Sequence, residues 1–217
     1  MSRLEYWKQR DLDEREAKAI GDIERYDCHV IQVSGGDGAP SFSYSLGLVE
    51  TLQCPEIVVM GLPPAVALSV INEIRDRVRG GLELKAGLQL EDLLDGGYLC
   101  ELREVRPQWY EWLFGWASWF HGSDGFPVLQ CIWPDKERHL PWEEGFNPEW
   151  VYSQPMLDRD DEVEARMDRL IASMKRTDGS CTCPVATENW PFADDPHTAT
   201  LSQKHVVSGE YPVLLVL

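Results

Sequence analysis

Residues 29–48, HVIQVSGGDGAPSFSYSLGL, constrain the fold more than any other stretch of the chain. A β-branched run leads into a glycine-rich turn and an alternating run leads out. Phe42, Tyr44, Leu46 and Leu48 share one face of the second run, and Ser41, Ser43, Ser45 and Gly47 share the other. Two strands joined by so short a connection must run antiparallel, which excludes an all-helical fold and a purely parallel sheet. The glycines at 35, 36 and 38 have a competing use as a phosphate cradle. That use needs a helix directly after the turn, so that its N-terminus meets the phosphate. Ala39-Pro40 and a strand follow instead, so the turn reads as a hairpin connector. His29 lies on the face of Ile31 and Val33 and reads as a hydrogen-bonded core histidine. Its neighbour Cys28 points to the opposite face, which rules out a direct Cys–His pair. The serine face could bind a ligand, admit a close-packed helix or face solvent.

The rest of the chain alternates strand and helix signals. Residues 3–25 read as one exposed, salt-bridged helix. Glu56–Met60, EIVVM, is a short strand. A helix starts at Pro64, carries Val66, Val70, Ile71, Ile74 and Val78 on one stripe, and ends at Gly80-Gly81. Residues 97–105 and 126–133 read as strands. Between them, PQWYEWLFGWASWF (107–120) places Trp109, Trp112, Trp116 and Trp119 on one face of a single helix that is apolar nearly all round and therefore deeply packed. Residues 134–150 are loop-like. A helix over 158–176 has acids first and Lys175 and Arg176 last, as its dipole favours. Strand candidates lie near 203–207 and at 212–217. The expected fold class is α+β: a mixed or antiparallel sheet with a β-hairpin, the Trp-rich helix and the Val66–Val78 helix covering one sheet face. The expected division is a main domain over 1–157 and a helix-plus-β extension over 158–217 packed against it.

Charge narrows the function. The 217 residues carry a formal net charge of -17, and residues 135–164 hold ten acids against three bases. Such a surface repels nucleic acid and anionic membranes and suits a basic protein partner. The N-terminal segment MSRLEYWKQRDLDER has no apolar run that would serve as a secretory signal, so the expected location is cytoplasmic. In a reducing compartment most of the six cysteines are small buried apolar residues. Cys181, Cys183, His197 and His205 offer zinc-type ligands, but their spacing matches no finger or ribbon, so no metal is expected. Asp158, Asp160 and Asp161 are explained as a helix start. No motif calls for a cofactor, and no nucleophile elbow occurs.

Several phrases together resemble a bacterial domain-of-unknown-function family, number 4262: YDCHVIQV (26–33), FSYSLGLVETLQCPEIVVMGLPP (42–64), FPVLQCIWPD (126–135) and LPW (140–142). The resemblance spans roughly residues 22–155. The family pattern falls on His29, Tyr44, Gly47, Pro55, Glu56, Gly61, Gln130, Trp133, Pro134, Asp135, Pro141 and Trp142. This chain has Asp27-Cys28 where the family has glycine and tryptophan, and Cys54 where it has histidine. The resemblance brings no activity with it.

Two functional expectations follow. The first is an acidic binding protein, of immunity or antitoxin type, that meets a basic effector through Asp135, Glu137, Glu143, Glu144, Asp158, Asp160, Asp161 and Glu162. The second is a small-molecule site or enzyme, in which His29, Tyr44, Glu56, Gln130 and Asp135 converge over the sheet with Trp133 or Trp142 as a wall and a His–carboxylate pair acts as general acid and base.

Overall fold

The computed structural model describes residues 2–35 and 40–159. The turn glycines at 36 and 38, the expected helix and strands after Asp158, and the metal candidates Cys181, Cys183, His197 and His205 lie outside the described residues, as do Asp160, Asp161 and Glu162. So does nearly all of the expected 158–217 extension.

The N-terminal segment forms two helices rather than one, α1 (Arg3–Lys8) and α2 (Glu14–Tyr26). The break has a local cause. Asp13 caps the N-terminus of α2 and Glu16 reaches back to the Asp13 N–H, a reciprocal capping box that restarts the helix. Strands β1 (His29–Val33) and β2 (Phe42–Leu46) form the expected hairpin, with Ile31 opposite Tyr44 and Val33 opposite Phe42. β2 ends two residues earlier than the alternation suggests. Gly47 adopts φ 112 and turns the chain into the short helix α3 (Leu48–Thr51). A Cβ at Gly47 would lie 2.8 Å from the Ile23 side chain, so only glycine fits both the backbone and the space. The turn also carries Leu48 away from the Phe42–Tyr44–Leu46 face and into the opposite core.

β3 (Glu56–Met60) leads into α4 (Pro64–Arg79), then come β4 (Gln89–Leu90), β5 (Cys100–Glu104), α5 (Tyr110–Leu113), α6 (Gly115–His121) and β6 (Val128–Ile132). Single 3-10 turns occupy Pro107–Trp109 and Pro148–Val151. The six strands make one mixed sheet in the order β1-β2-β3-β6-β5-β4. All neighbours are antiparallel except β3 and β6, which run parallel. The α+β expectation therefore holds.

Both sheet faces are covered, which corrects the expectation that the two main helices share one. Strand alternation divides the core. Ile31, Tyr44, Leu46, Val58 and Met60 pack with α2 and the aromatic segment 109–120. Ile57, Val59, Leu102, Leu129 and Cys131 pack against Ala67, Val70, Ile71 and Ile74 of α4. The Trp-rich segment is not one helix either. It breaks at Phe114 (φ -119, ψ 36) into a 3-10 turn and two short helices. The buried stripe is offset by one position from the expected one. Trp109, Tyr110, Leu113, Phe114, Ala117 and Phe120 are buried, whereas Trp112, Trp116 and Trp119 are only half-buried. Trp7 of α1 stacks on Trp119 at 4.2 Å and donates from Nε1 to the Phe120 carbonyl at 2.9 Å, so α1 shields the outer tryptophans. No helix among the described residues is long and apolar enough to cross a membrane.

Candidate functional site

Glu56 is the most heavily engaged polar side chain in the core. It opens β3 and is 1% exposed. Its Oε2 accepts the Ser45 hydroxyl at 2.6 Å and the Leu48 N–H at 3.3 Å. Its Oε1 accepts the N–H groups of Gly47 at 2.8 Å and Val49 at 3.4 Å, and His121 Nε2 lies 3.1 Å away, at the end of α6. The His121 ring also stacks on Phe126 at 4.7 Å. Ser45 Oγ meanwhile accepts the Ile57 N–H at 2.8 Å. A buried carboxylate is tolerable only when its lone pairs are filled, and these are filled several times over. The serine face thus has two uses: Ser43 and Ser45 are buried, α4 packs across β2, and Ser45 serves Glu56.

The other pocket candidates have separate tasks. His29 Nδ1 meets Asp22 Oδ2 of α2 at 2.8 Å, and Lys18 Nζ meets the same oxygen at 2.8 Å. Burial pushes the Asp22 carboxyl up, but hydrogen bonds from Lys18 and His29 outweigh it and hold the group below its ordinary value. Burial holds the His29 imidazole below its ordinary value, against the raising effect of Asp22. Tyr44 is buried edge-to-face on Phe114 at 5.3 Å, and burial pushes its phenol up. Gln130 donates to the Pro155 carbonyl at 2.8 Å and accepts the Leu157 N–H at 2.9 Å. Trp133 donates from Nε1 to the Met60 carbonyl at 2.7 Å, and its backbone exchanges two 2.8 Å hydrogen bonds with the Gln154 side chain. These bonds lay residues 153–157 as a strap across the ends of β3 and β6. Gly61 (φ 73) admits the strap, because a Cβ there would sit 2.2 Å from the Ser153 carbonyl oxygen. Adjacent parallel strand ends are where open α/β sheets usually carry ligands, and here the chain fills that position itself.

Asp135 is 2% exposed and accepts the N–H groups of His139 and Asn147, both at 2.8 Å, which closes the 135–147 loop. Its carboxylate is turned inward, away from any partner. Glu143 accepts the Leu140 N–H at 2.7 Å. Glu137 and Glu144 are exposed, and no side chain among the described residues pairs with them. Asp158 is half-buried, 4.0 Å from Arg103, whose guanidinium lies over the Trp142 ring at 4.0 Å.

One hollow stands out among the described residues. It opens beside the end of β6 as a shallow cavity of about 10 Å³, room for about one water, and buried Trp133 is part of its lining. Leu94, Tyr98, Pro134, Asp135, Lys136 and Trp150 complete the lining. Trp133 and Trp150 meet edge-to-face at 5.8 Å. Of the pocket candidates, Trp133 and Asp135 line this hollow; His29, Tyr44, Glu56, Gln130 and Trp142 do not. Sequence reasoning missed Asp22, Ser45 and His121 as partners. Asp22 lies seven residues before His29, whereas His121 is sixty-five residues from Glu56, so only Asp22 was within reach of a local pattern. It also missed Tyr98 and Trp150 as walls. No metal-competent cluster of three or more His, Cys, Asp or Glu occurs among the described residues. The cysteines at 28, 54, 100 and 131 are buried free thiols, and burial pushes Cys28 up to about 11 and Cys54 up to about 12.

A family model described as Domain of unknown function (DUF4262) matches residues 22–147. No curated protein and no solved structure matches the chain.

Proposed function

The chain belongs to the DUF4262 family, and from that membership, which carries no activity, we propose that it is an acidic binding module for a basic partner protein. One observation carries this reading. The polar groups in the family-pattern positions, Glu56, Gln130 and Asp135, are spent on internal hydrogen bonds, while unpaired acids such as Glu137 and Glu144 face outward. A net charge of -17 gives the surface a long-range field that speeds encounter with a cation-rich partner. An immunity- or antitoxin-type role against a basic effector is the specific form of this reading.

The test is affinity capture from cytosolic extract on the immobilised full chain and on its Glu137→Lys/Glu144→Lys variant. Those two positions are exposed and make no internal hydrogen bond, so the reversal leaves the fold intact. Proteins retained by the wild type should be enriched in isoelectric points above about 9 and released by about 0.5 M salt. The variant should lose them. A retained set no more basic than the extract, or one unaffected by the reversal, refutes the reading.

A further inference from the structure

We propose that the outer edge of β1 is a self-pairing edge, on which a second copy of this chain adds its own β1 antiparallel, about a two-fold axis at Ile31. The alternation of backbone groups across the sheet shows which of them are open. Gly61 N–H donates to the Ser41 carbonyl at 2.8 Å, and the β2–β3 register, extended by one pair, sets these residues directly opposite each other. Ser41, Ser43 and Ser45 therefore turn their backbone groups toward β3, and Phe42, Tyr44 and Leu46 turn theirs toward β1. The facing residues Val33, Ile31 and His29 are thereby used. Val30 and Gln32 turn their N–H and C=O groups outward, and no hydrogen-bond partner meets those groups among the described residues. Burial agrees with this alternation: Ile31 and Val33 are each 2% exposed, whereas Val30 and Gln32 are half-buried.

Sheets that stay monomeric blunt their edges with charge, proline, bulges or brevity. The opposite edge strand, β4, is two residues long. β1 uses none of these devices: HVIQV holds no Asp, Glu, Lys, Arg or Pro, and its pairing with β2 runs without a bulge. Symmetry and charge then choose a second copy as the occupant. The two open residues flank Ile31, so Val30 of each copy meets Gln32 of the other, each pair exchanging both N–H···O bonds, and the contact closes on itself. The flank of α2 beside the edge fits the same symmetry. Asp22 sits by His29 at 2.8 Å, and the rise from His29 to Ile31 equals about four helix residues, which sets Lys18 level with Ile31. Arg15, Lys18 and Asp22 share this flank by their spacing. A two-fold axis at Ile31 brings Arg15 of one copy toward Asp22 of the other, while each Lys18 is held by its own Asp22 at 2.8 Å. A chain of net charge -17 repels its copies, so self-contact requires an uncharged strand with a compensated flank, and β1 with α2 supplies both. A basic peptide would find no carboxylate on HVIQV to hold it.

The experiment combines sedimentation velocity on the full chain, from about 1 to about 200 µM, with amide-resolved hydrogen exchange at both ends of that range. The expected result is a dimer that grows with concentration, in which the Val30 and Gln32 amides exchange at least about tenfold more slowly than in dilute solution. Ile31 and Val33 should be protected at both concentrations, since β2 already holds them. Gln32→Pro removes one outward N–H and leaves the β1–β2 ladder intact, so it should abolish the dimer. Gln32→Ala also loses the side-chain bond to the Pro64 carbonyl but keeps the backbone donor, so it should still dimerise. Arg15→Glu sets two acids against each other across the axis and should weaken the dimer severalfold; Arg15 is exposed, so this arm and the wild-type exchange stand even if Gln32→Pro fails to fold. A chain that stays monomeric throughout, a dimer whose Val30 and Gln32 amides remain fast, or a dimer that survives Gln32→Pro overturns the proposal. Glu137→Lys/Glu144→Lys should leave dimerisation unchanged, so the self-pairing edge and the acidic binding surface stand or fall separately.

Discussion

Replacing Glu56 with glutamine should destabilise the fold far more than its isosteric shape suggests. Oε1 receives Gly47, Val49 and His121, and Oε2 receives Ser45 and Leu48. A carboxamide has one acceptor oxygen and one donor nitrogen. If the oxygen takes the Oε1 position, the NH₂ group faces the Leu48 N–H and the Ser45 hydroxyl. Ser45 can turn to accept, since a hydroxyl has two lone pairs and Ile57 uses one. Its own hydrogen then has no acceptor, and the Leu48 N–H is left buried and unpaired. An unpaired buried donor costs about 1–3 kcal/mol, and a lost charge-assisted bond adds about 1 kcal/mol more. The total is about 3 kcal/mol, or about 6–12 °C in Tm for a chain of this size. Urea unfolding followed by tryptophan fluorescence and far-UV circular dichroism measures it. Glu56→Ala should cost more, because every donor then loses its acceptor. In a double-mutant cycle, Ser45→Ala and Glu56→Gln should show a coupling of about 1 kcal/mol or more. A Glu56→Gln variant within about 0.5 kcal/mol of wild type refutes the reasoning, because the carboxylate would then not be organising the β2–α3 turn.

Two further outcomes are expected. Gly61→Ala should destabilise by more than Gly87→Ala, measured by the same unfolding assay. Both glycines have positive φ (73 and 79), but only Gly61 faces a carbonyl oxygen at 2.2 Å, so Gly87→Ala should cost only about 1–2 kcal/mol of backbone strain. His29 should make stability depend on pH. Its folded-state value is depressed, so between the two values the unfolded chain binds more protons and stability rises with pH. The contribution is therefore complete above about pH 6.5 and declines as pH falls below it. His29→Gln should flatten that part of the profile between pH 7.5 and 5.5, and an unchanged profile would count against the depressed value.

Most of the fold was legible locally, because the signals were local. The hairpin, EIVVM and the helix from Pro64 carry their own periodicity, punctuation and backbone preferences, and all appear near the expected positions. In the 3–25 segment apolar spacing continues loosely across a break that the Asp13–Glu16 capping box imposes. The sequence held that box, but reading it required giving end signals precedence over periodicity. In the Trp-rich segment helical spacing offers two adjacent apolar stripes, Trp109–Trp112–Trp116–Trp119 and Tyr110–Leu113–Ala117–Phe120, and only packing against the sheet selects the second, with Trp109 the one tryptophan of the first that is buried. β4, two residues long, carries too little pattern to be seen.

The candidate site shows the division most clearly. The chain by itself determined the residue types that matter: a strand-opening glutamate, a glutamine and an aspartate around Trp133, the turn glycine at 47 and the excess of acid. It could not determine what those groups face, because their partners are remote in sequence. His121 reaches Glu56 only after α6 has packed over the sheet, and Gln130 meets Pro155 and Leu157 only when the strap has closed. Strand alternation says that two helices must cover a sheet, but not whether they take the same face, since that depends on the handedness and length of connections that span the core. Tertiary packing put α4 on one side and the aromatic segment on the other, and it brought Tyr98 and Trp150 beside Trp133. Burial then decided roles that composition leaves open: Asp135 is a loop closure because its oxygens are filled from within, and Glu137, two residues on, is free because it is not.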